Sequence, residues 1–93
     1  MSESKPFPFT EVGDTRTFPA DVDPKELQWH WDEQDRIVTC WHETDWLIQL
    51  DNELPERLEV GVSLFIMAGE FHRIIKGTGP LTVQVIKYEV LNK

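Results

Sequence analysis

Amphipathic helical periodicity is almost missing from this chain. Only Pro24-Lys25-Glu26-Leu27, behind Asp23 as an N-cap, reads as a single short turn. Cysteine is nearly missing too. The one cysteine, Cys40, cannot close an internal disulfide, and within the strand-like run IVTCW it reads as a small buried apolar residue. A cytoplasmic, reducing compartment is the expectation that follows. No apolar run approaches the length of a membrane span. The opening MSESKPFPFTEV lacks the basic-then-apolar order of a secretory signal. Positive charge is scarce, with 9 basic against 17 acidic side chains and a formal charge of −8. Such a chain repels phosphate backbones and anionic lipid surfaces, and its few basic residues form no stripe, so nucleic-acid and membrane partners are both discounted. Also missing are a Ser-His-Asp order, a Cys-His dyad, a glycine-rich phosphate loop and paired zinc-ribbon cysteines. Nucleophilic and phosphoryl-transfer chemistry therefore have no residues to carry them.

What the chain does have is β-forming sequence broken by turn signals. Its 93 residues make one domain, and 40% hydrophobic with 11% aromatic content suffices for a packed core. Residues 1–26 carry Pro6, Pro8, Pro19 and Pro24 and read as an extended arm, anchored onto a sheet by Phe7, Phe9 and Phe18. Residues 27–93 supply the body. LQWHW (27–31), RIVTCWH (36–42), WLIQL (46–50), VSLFIMA (62–68), FHRIIK (71–76) and LTVQVIKYEV (81–90) are rich in β-branched and aromatic residues. DEQD, HETD, DNELPERLEVG, AGE and GTGP separate them. Connections so short predict antiparallel neighbours, because parallel crossovers need about a dozen residues or more. The expected fold is all-β, a small antiparallel barrel or sandwich.

Side chains two apart share one face of a strand. Val38 and Cys40 lie on one face of their run; Ile37, Thr39 and Trp41 lie on the other. With Val38 and Cys40 turned inward, carrying the alternation back through DEQD turns Arg36, Asp32, His30 and Gln28 inward as well. In FHRIIK, His72 shares a face with Ile74 and Lys76. Both faces of that run hold an aliphatic residue, as expected where an arm or a second subunit covers the outside.

With these runs in place, the chain resembles a small cupin, a barrel of two facing antiparallel sheets (the double-stranded β-helix). The likeness spans roughly residues 27–90, most of a minimal one-domain barrel. The second cupin motif matches well: Gly61, the run VSLFIMA, Gly69, then His72 after two intervening residues. Val62 stands where an acid is usual, and Met67 where proline is usual. The first motif is degraded. His30 fits its first histidine, Asp32 takes the place of the second, and Arg36 stands near the expected glutamate. Small cupins commonly pair sheet to sheet, so the resemblance implies a homodimer.

The chemistry of these residues can be read independently. His30 and Asp32 at i, i+2 would point at one region, and His72 from a separate strand would complete two imidazoles and one carboxylate around a divalent metal. Iron, manganese, zinc or nickel suits that set, with positions left open for water or a small molecule. The HxD…H order also resembles the facial triad of 2-oxoglutarate oxygenases, but those enzymes need a larger chain. In so acidic a sequence an HxD pair arises easily by chance; the separate His72 gives it weight. Gln28, Arg36 and Lys76 are the expected ligand-facing neighbours. The competing arrangement pairs Arg36 with Asp32 and leaves no metal, since a guanidinium occupies the carboxylate lone pairs and repels a dication. His30 and His72 would then be hydrogen-bonded core or pocket residues. Lys76 would be a surface lysine lying along apolar neighbours, and His42, in HETD, reads as a solvated loop residue.

Trp29 and Trp31 flank His30, so an inward His30 turns both outward, to be covered by the arm or by a second subunit. Trp41 and Trp46 bracket HETD and are expected to pack across it. Three functions stay open: metal-assisted oxidation or isomerisation of a small molecule, non-catalytic ligand binding without metal, and a structural dimer with a filled interior.

Overall fold

A computed structural model describes residues 7–89. The first six residues of the arm and the end of the predicted 81–90 strand lie outside the described residues. Eight strands follow in order: β1 Thr10–Val12, β2 Thr15–Phe18, β3 Asp35–Cys40, β4 Leu47–Leu50, β5 Glu56–Arg57, β6 Ser63–Ile66, β7 His72–Ile75 and β8 Leu81–Tyr88. One 3-10 turn, Pro24–Glu26, separates β2 from β3. Asp23 caps it through a 3.0 Å bond from the Lys25 amide, as the Asp-Pro pair predicts.

The strands form two sheets, β1-β2-β8-β3-β6 and β5-β4-β7, and every strand pairing within them is antiparallel. Side-chain alternation is clearest in β8, where Leu81, Val83 and Val85 are buried and the residues between them only partly so. Each such side chain contributes about 1.5–3 kcal/mol by leaving water. They face Ile48 of β4 and, with Phe18, Cys40, Trp46, Leu58 and Ile66, fill the space between the sheets. Trp46 is fully buried, tilted against Phe18 at 5.7 Å, and its indole N–H donates to the Gly79 carbonyl at 2.7 Å. Trp41 is instead 57% exposed, so the two tryptophans go to opposite sides instead of packing across HETD.

Short connections make neighbours of β1 and β2 and of β4 and β5, but three others do not. β3, β6 and β8 lie in one sheet while β4 and β7 lie in the other, so loops 41–46, 67–71 and 76–80 cross the core. Stacked sheets stand about 10 Å apart, and five extended residues reach roughly 16 Å, so a short loop serves a crossing as well as a hairpin. The two sheets meet by side chains and not by a continuous ladder. The molecule is an all-β antiparallel sandwich, as expected, and of the two architectures named above it takes the sandwich, its sheets not closing into a barrel. No helix among the described residues is long and apolar enough to cross a membrane.

The arm is not laid on a sheet face. Its residues 10–18 fold as the hairpin β1-β2, and β2 pairs with β8 along Thr15↔Gln84 to Phe18↔Leu81. Gly13, at φ +62°, supplies the left-handed first position of the two-residue turn. Phe7 stacks on Phe9, which tilts against Phe18, and Phe18 in turn meets Trp46. They therefore cover neither Trp29, which lies under the Arg73 guanidinium at 4.9 Å, nor the half-exposed Trp31. The predicted strand 27–31 shrinks to one bridge, His30↔His72.

Candidate metal centre and cavity

Backbone pairing brings the two histidines together. The His30 amide donates to the His72 carbonyl at 3.0 Å and the His72 amide returns the bond at 2.9 Å, which sets residue 30 beside β7. The rings then lie 4.3 Å apart. Asp32 follows in the loop that carries the chain from the small sheet to the large one. Its position is set by the 67–70 turn: the Gly69 amide donates to the Asp32 carbonyl at 2.9 Å, and the Ala68 amide to Asp35 Oδ1 at 2.8 Å. Gly69, at φ +83°, provides the left-handed residue that turn needs.

Each imidazole is oriented the same way. Nδ1 of His30 meets the Gln28 carbonyl at 3.0 Å, and Nδ1 of His72 meets the Glu70 carbonyl at 2.9 Å. A carbonyl only accepts, so both Nδ1 atoms carry hydrogen and a neutral ring presents its Nε2 lone pair. Those lone pairs converge on Asp32, with His72 Nε2 3.3 Å from Oδ2 and His30 Nε2 3.8 Å from Oδ1. Burial holds the His72 pKa below its ordinary value, although the Glu70 carbonyl bond opposes the shift. Neutral Nε2 and carboxylate Oδ2 are both acceptors, and Oδ2 is buried with no hydrogen-bond partner. Two acceptors facing each other repel unless a proton or a metal ion lies between them, and the lowered His72 pKa disfavours the proton. One ligand atom from each residue falls within 4.8 Å of the others. Ligands about 2.0–2.2 Å from a tetrahedral zinc ion stand roughly 3.3–3.6 Å apart; His72 Nε2 to Asp32 at 3.3 Å lies in that range, and His30 Nε2 to Asp32 at 3.8 Å lies just beyond it. The donor set thus fits a divalent metal. His72 is buried (7% side-chain exposure) and His30 is open (52%), so the cluster stands at the rim of the interior.

Arg36 enters from β3, as its alternation with Val38 and Cys40 requires. Its Nη2 lies 3.4 Å from Asp32 Oδ1 and 3.5 Å from Gln34 Oε1, while its Nε is buried without a partner. Burial lowers its pKa, and the Asp32 charge opposes that shift. Behind the cluster lies a cavity of about 80 Å³, lined by His30, His72, Arg36 and Arg16 and otherwise by aliphatic side chains and Phe18. Arg16 was missed from the sequence. Its signal was Phe18 two residues on: if Phe18 turns inward, so does Arg16, and its register opposite the buried Val83 places it there. Gln28 and Lys76 line no part of this cavity. The Gln28 amide donates to the Lys25 carbonyl at 2.7 Å, and Lys76 Nζ to the Val22 carbonyl at 2.9 Å. His42 is not a free loop residue either, since its Nε2 accepts the Thr82 amide at 3.0 Å.

No protein-family model matches the chain, and no curated protein sequence matches it significantly. Among solved structures, a Ralstonia eutropha JMP134 protein provisionally named a mannose-6-phosphate isomerase superposes with a TM-score of 0.59 at 16% identity, covering 88% of this chain and 83% of that one. The likeness establishes a shared all-β sandwich fold.

Proposed function

We propose that the chain is a single-domain cupin-type protein that binds a divalent metal through His30, Asp32 and His72 and a small molecule in the adjoining cavity. One observation carries the reading: two imidazoles, each anchored through Nδ1, aim Nε2 at a buried carboxylate oxygen that has no partner. When bound, the metal supplies Lewis acidity toward an oxygen of the ligand, the chemistry of metal-assisted oxidation or isomerisation. The chain itself would hold the metal with His30, Asp32 and His72, lines the adjoining cavity with aliphatic walls and presents Arg36 beside Asp32. The sugar phosphate in the neighbour's name is not carried over, because walls of Val, Ile and Leu leave sugar hydroxyls unpaired. The buried thiol of Cys40, in no disulfide and donating to the His42 carbonyl, accords with a reducing, cytoplasmic location.

Metal analysis of protein purified without a histidine tag tests the reading. Close to one equivalent is expected, and His72→Ala should weaken binding beyond the roughly 10–100-fold typical of outer-shell changes. Less than about a tenth of an equivalent after incubation with zinc, manganese or iron would reject it. One observation favours the alternative, a metal-free ligand-binding protein: Arg36 stands near enough to neutralise Asp32. That version predicts no metal uptake but a rise in melting temperature with a suitable small molecule.

We also propose a homodimer, formed through the outer face of the five-stranded sheet. There Phe65, Ile37 and Ile86 lie in one cross-strand row, with Met67, Trp41 and Tyr88 around it. Phe65 is 55% exposed, and the other three are about half exposed as well.

A further inference from the structure

We propose that the cavity takes a small aliphatic carboxylate, gripped by Arg36 with Arg16 behind it; this rests on the metal reading above. Charge balance carries the argument. Without metal, Asp32 and Arg36 offset each other across 3.4 Å, and Arg16 is offset by Glu11 at 2.8 Å. A dication on His30, Asp32 and His72 draws the Asp32 lone pairs to itself. Metal and Asp32 then sum to one positive charge, and the Arg36 guanidinium, 14% exposed, adds a second. The remaining cavity walls are Phe18 and aliphatic side chains such as Val38, Ile48, Ile66 and Val85, and they offer no anion. Uncompensated buried charge is strongly unfavourable, so the metal-loaded cavity calls for a negative ligand.

The arginine is placed to read a carboxylate. Its Nε is buried without a partner, and Nη2 has the ion pair with Asp32 at 3.4 Å, which a metal on Asp32 would weaken, and a marginal 3.5 Å contact to Gln34. Once a metal takes up Asp32, the Nε and Nη2 edge of Arg36 offers the parallel pair of N–H donors that grips a carboxylate in two places. Arg16 is held still by Glu11 and by the Phe9 ring, 4.4 Å from its guanidinium carbon. The walls then select the rest of the ligand. At about 80 Å³ the cavity is far smaller than the roughly 300–1,000 Å³ pockets of drug-sized ligands. Its branched aliphatic lining suits a short alkyl tail and leaves any hydroxyl on that tail without a partner.

The test uses the whole chain, loaded with zinc, freed of excess metal and titrated calorimetrically with isovalerate and with isovaleramide, which has the same shape and no charge. The acid is expected to bind at least about tenfold more tightly than the amide, and at least about tenfold more tightly to zinc-loaded than to metal-free protein. Arg36→Gln should keep zinc and lose the preference for acid. If that variant does not fold, the acid and amide comparison on the unaltered chain decides. A zinc-loaded chain that binds acid and amide alike, or neither, overturns this proposal and leaves the metal reading standing. A chain that takes up no zinc on dialysis fails the metal reading itself, and removes the excess charge this proposal requires.

Discussion

At the scale of single residues, hydrogen bonds decide what the histidines can do. A histidine on an apolar strand is ordinarily satisfied by one partner and inert. His72 has that partner on Nδ1, yet its Nε2 faces another acceptor, which is the arrangement metal-binding histidines adopt. Its titration has a consequence for the metal-free protein. Burial places the folded pKa of His72 below the ordinary 6.5, so between those two values the folded chain binds fewer protons than the unfolded chain. Stability then rises with pH across that window and falls with acidification. The contribution of neutral His72 is complete above 6.5 and is lost as pH drops from there toward the folded value. Melting temperatures of metal-free protein should therefore decline below pH 6.5, and His72→Gln should flatten that decline. Equal slopes for the two proteins would show that His72 is not the group responsible. How much of this was legible differs by residue. The cupin-like spacing marked His30, Asp32 and His72, and the structure gathers them. Gln28 was assigned by extending an alternation back through a turn, where the two-residue period no longer applies. Lys76 was assigned by the alternation of FHRIIK, whose strand ends one residue earlier at Ile75. Both side chains bond backbone carbonyls elsewhere.

At the scale of elements, the amino-terminal hairpin is where local sequence misleads. TRTF has one apolar residue in four and is followed by proline, so although its threonines and Phe18 favour a strand it shows no apolar alternation to mark one. It is a strand because β8 offers an edge and because Phe18 fits beside Leu81 and against Trp46. Residues 10–18 therefore belong to the core and are not a separable arm. A chain beginning at Leu27 would uncover the β8 edge, the Trp46 face and one wall of the cavity. It is expected to lose cooperative unfolding and to aggregate, as seen by near-ultraviolet circular dichroism and light scattering. A sharp melt close to that of the full chain would mean that the hairpin is dispensable. By contrast, β8 was legible at once, because its alternation runs long enough to be read without its neighbours.

At the scale of the whole molecule, the inner faces of both sheets are used and the outer face of the large sheet is not. The row Phe65, Ile37 and Ile86 runs across three paired strands, flanked by hydroxyl contacts such as Thr39 to Ser63 at 2.8 Å. A second copy turned by a two-fold axis would set this row against itself, since such an interface is self-complementary. Sedimentation at micromolar concentration should report a dimer, and Phe65→Glu should convert it to a folded monomer with metal binding intact. A monomeric unaltered chain would remove this role for the outer face.

By itself the sequence determined the strand-rich class, the antiparallel pairing, the lack of helix and the pair of distant histidines meant to meet, because each follows from local periodicity, turn chemistry or motif spacing. Only the tertiary structure decided that β4 lies across the core from β3, and β7 from β6 and β8, that TRTF is a strand, and that Arg16 stands beside the histidines. The physical reason is the same in each case. A loop of five residues reaches a neighbour in the same sheet or a partner in the facing one equally well, and only the packing of Trp46, Phe18 and β8 makes one of those choices lower in energy.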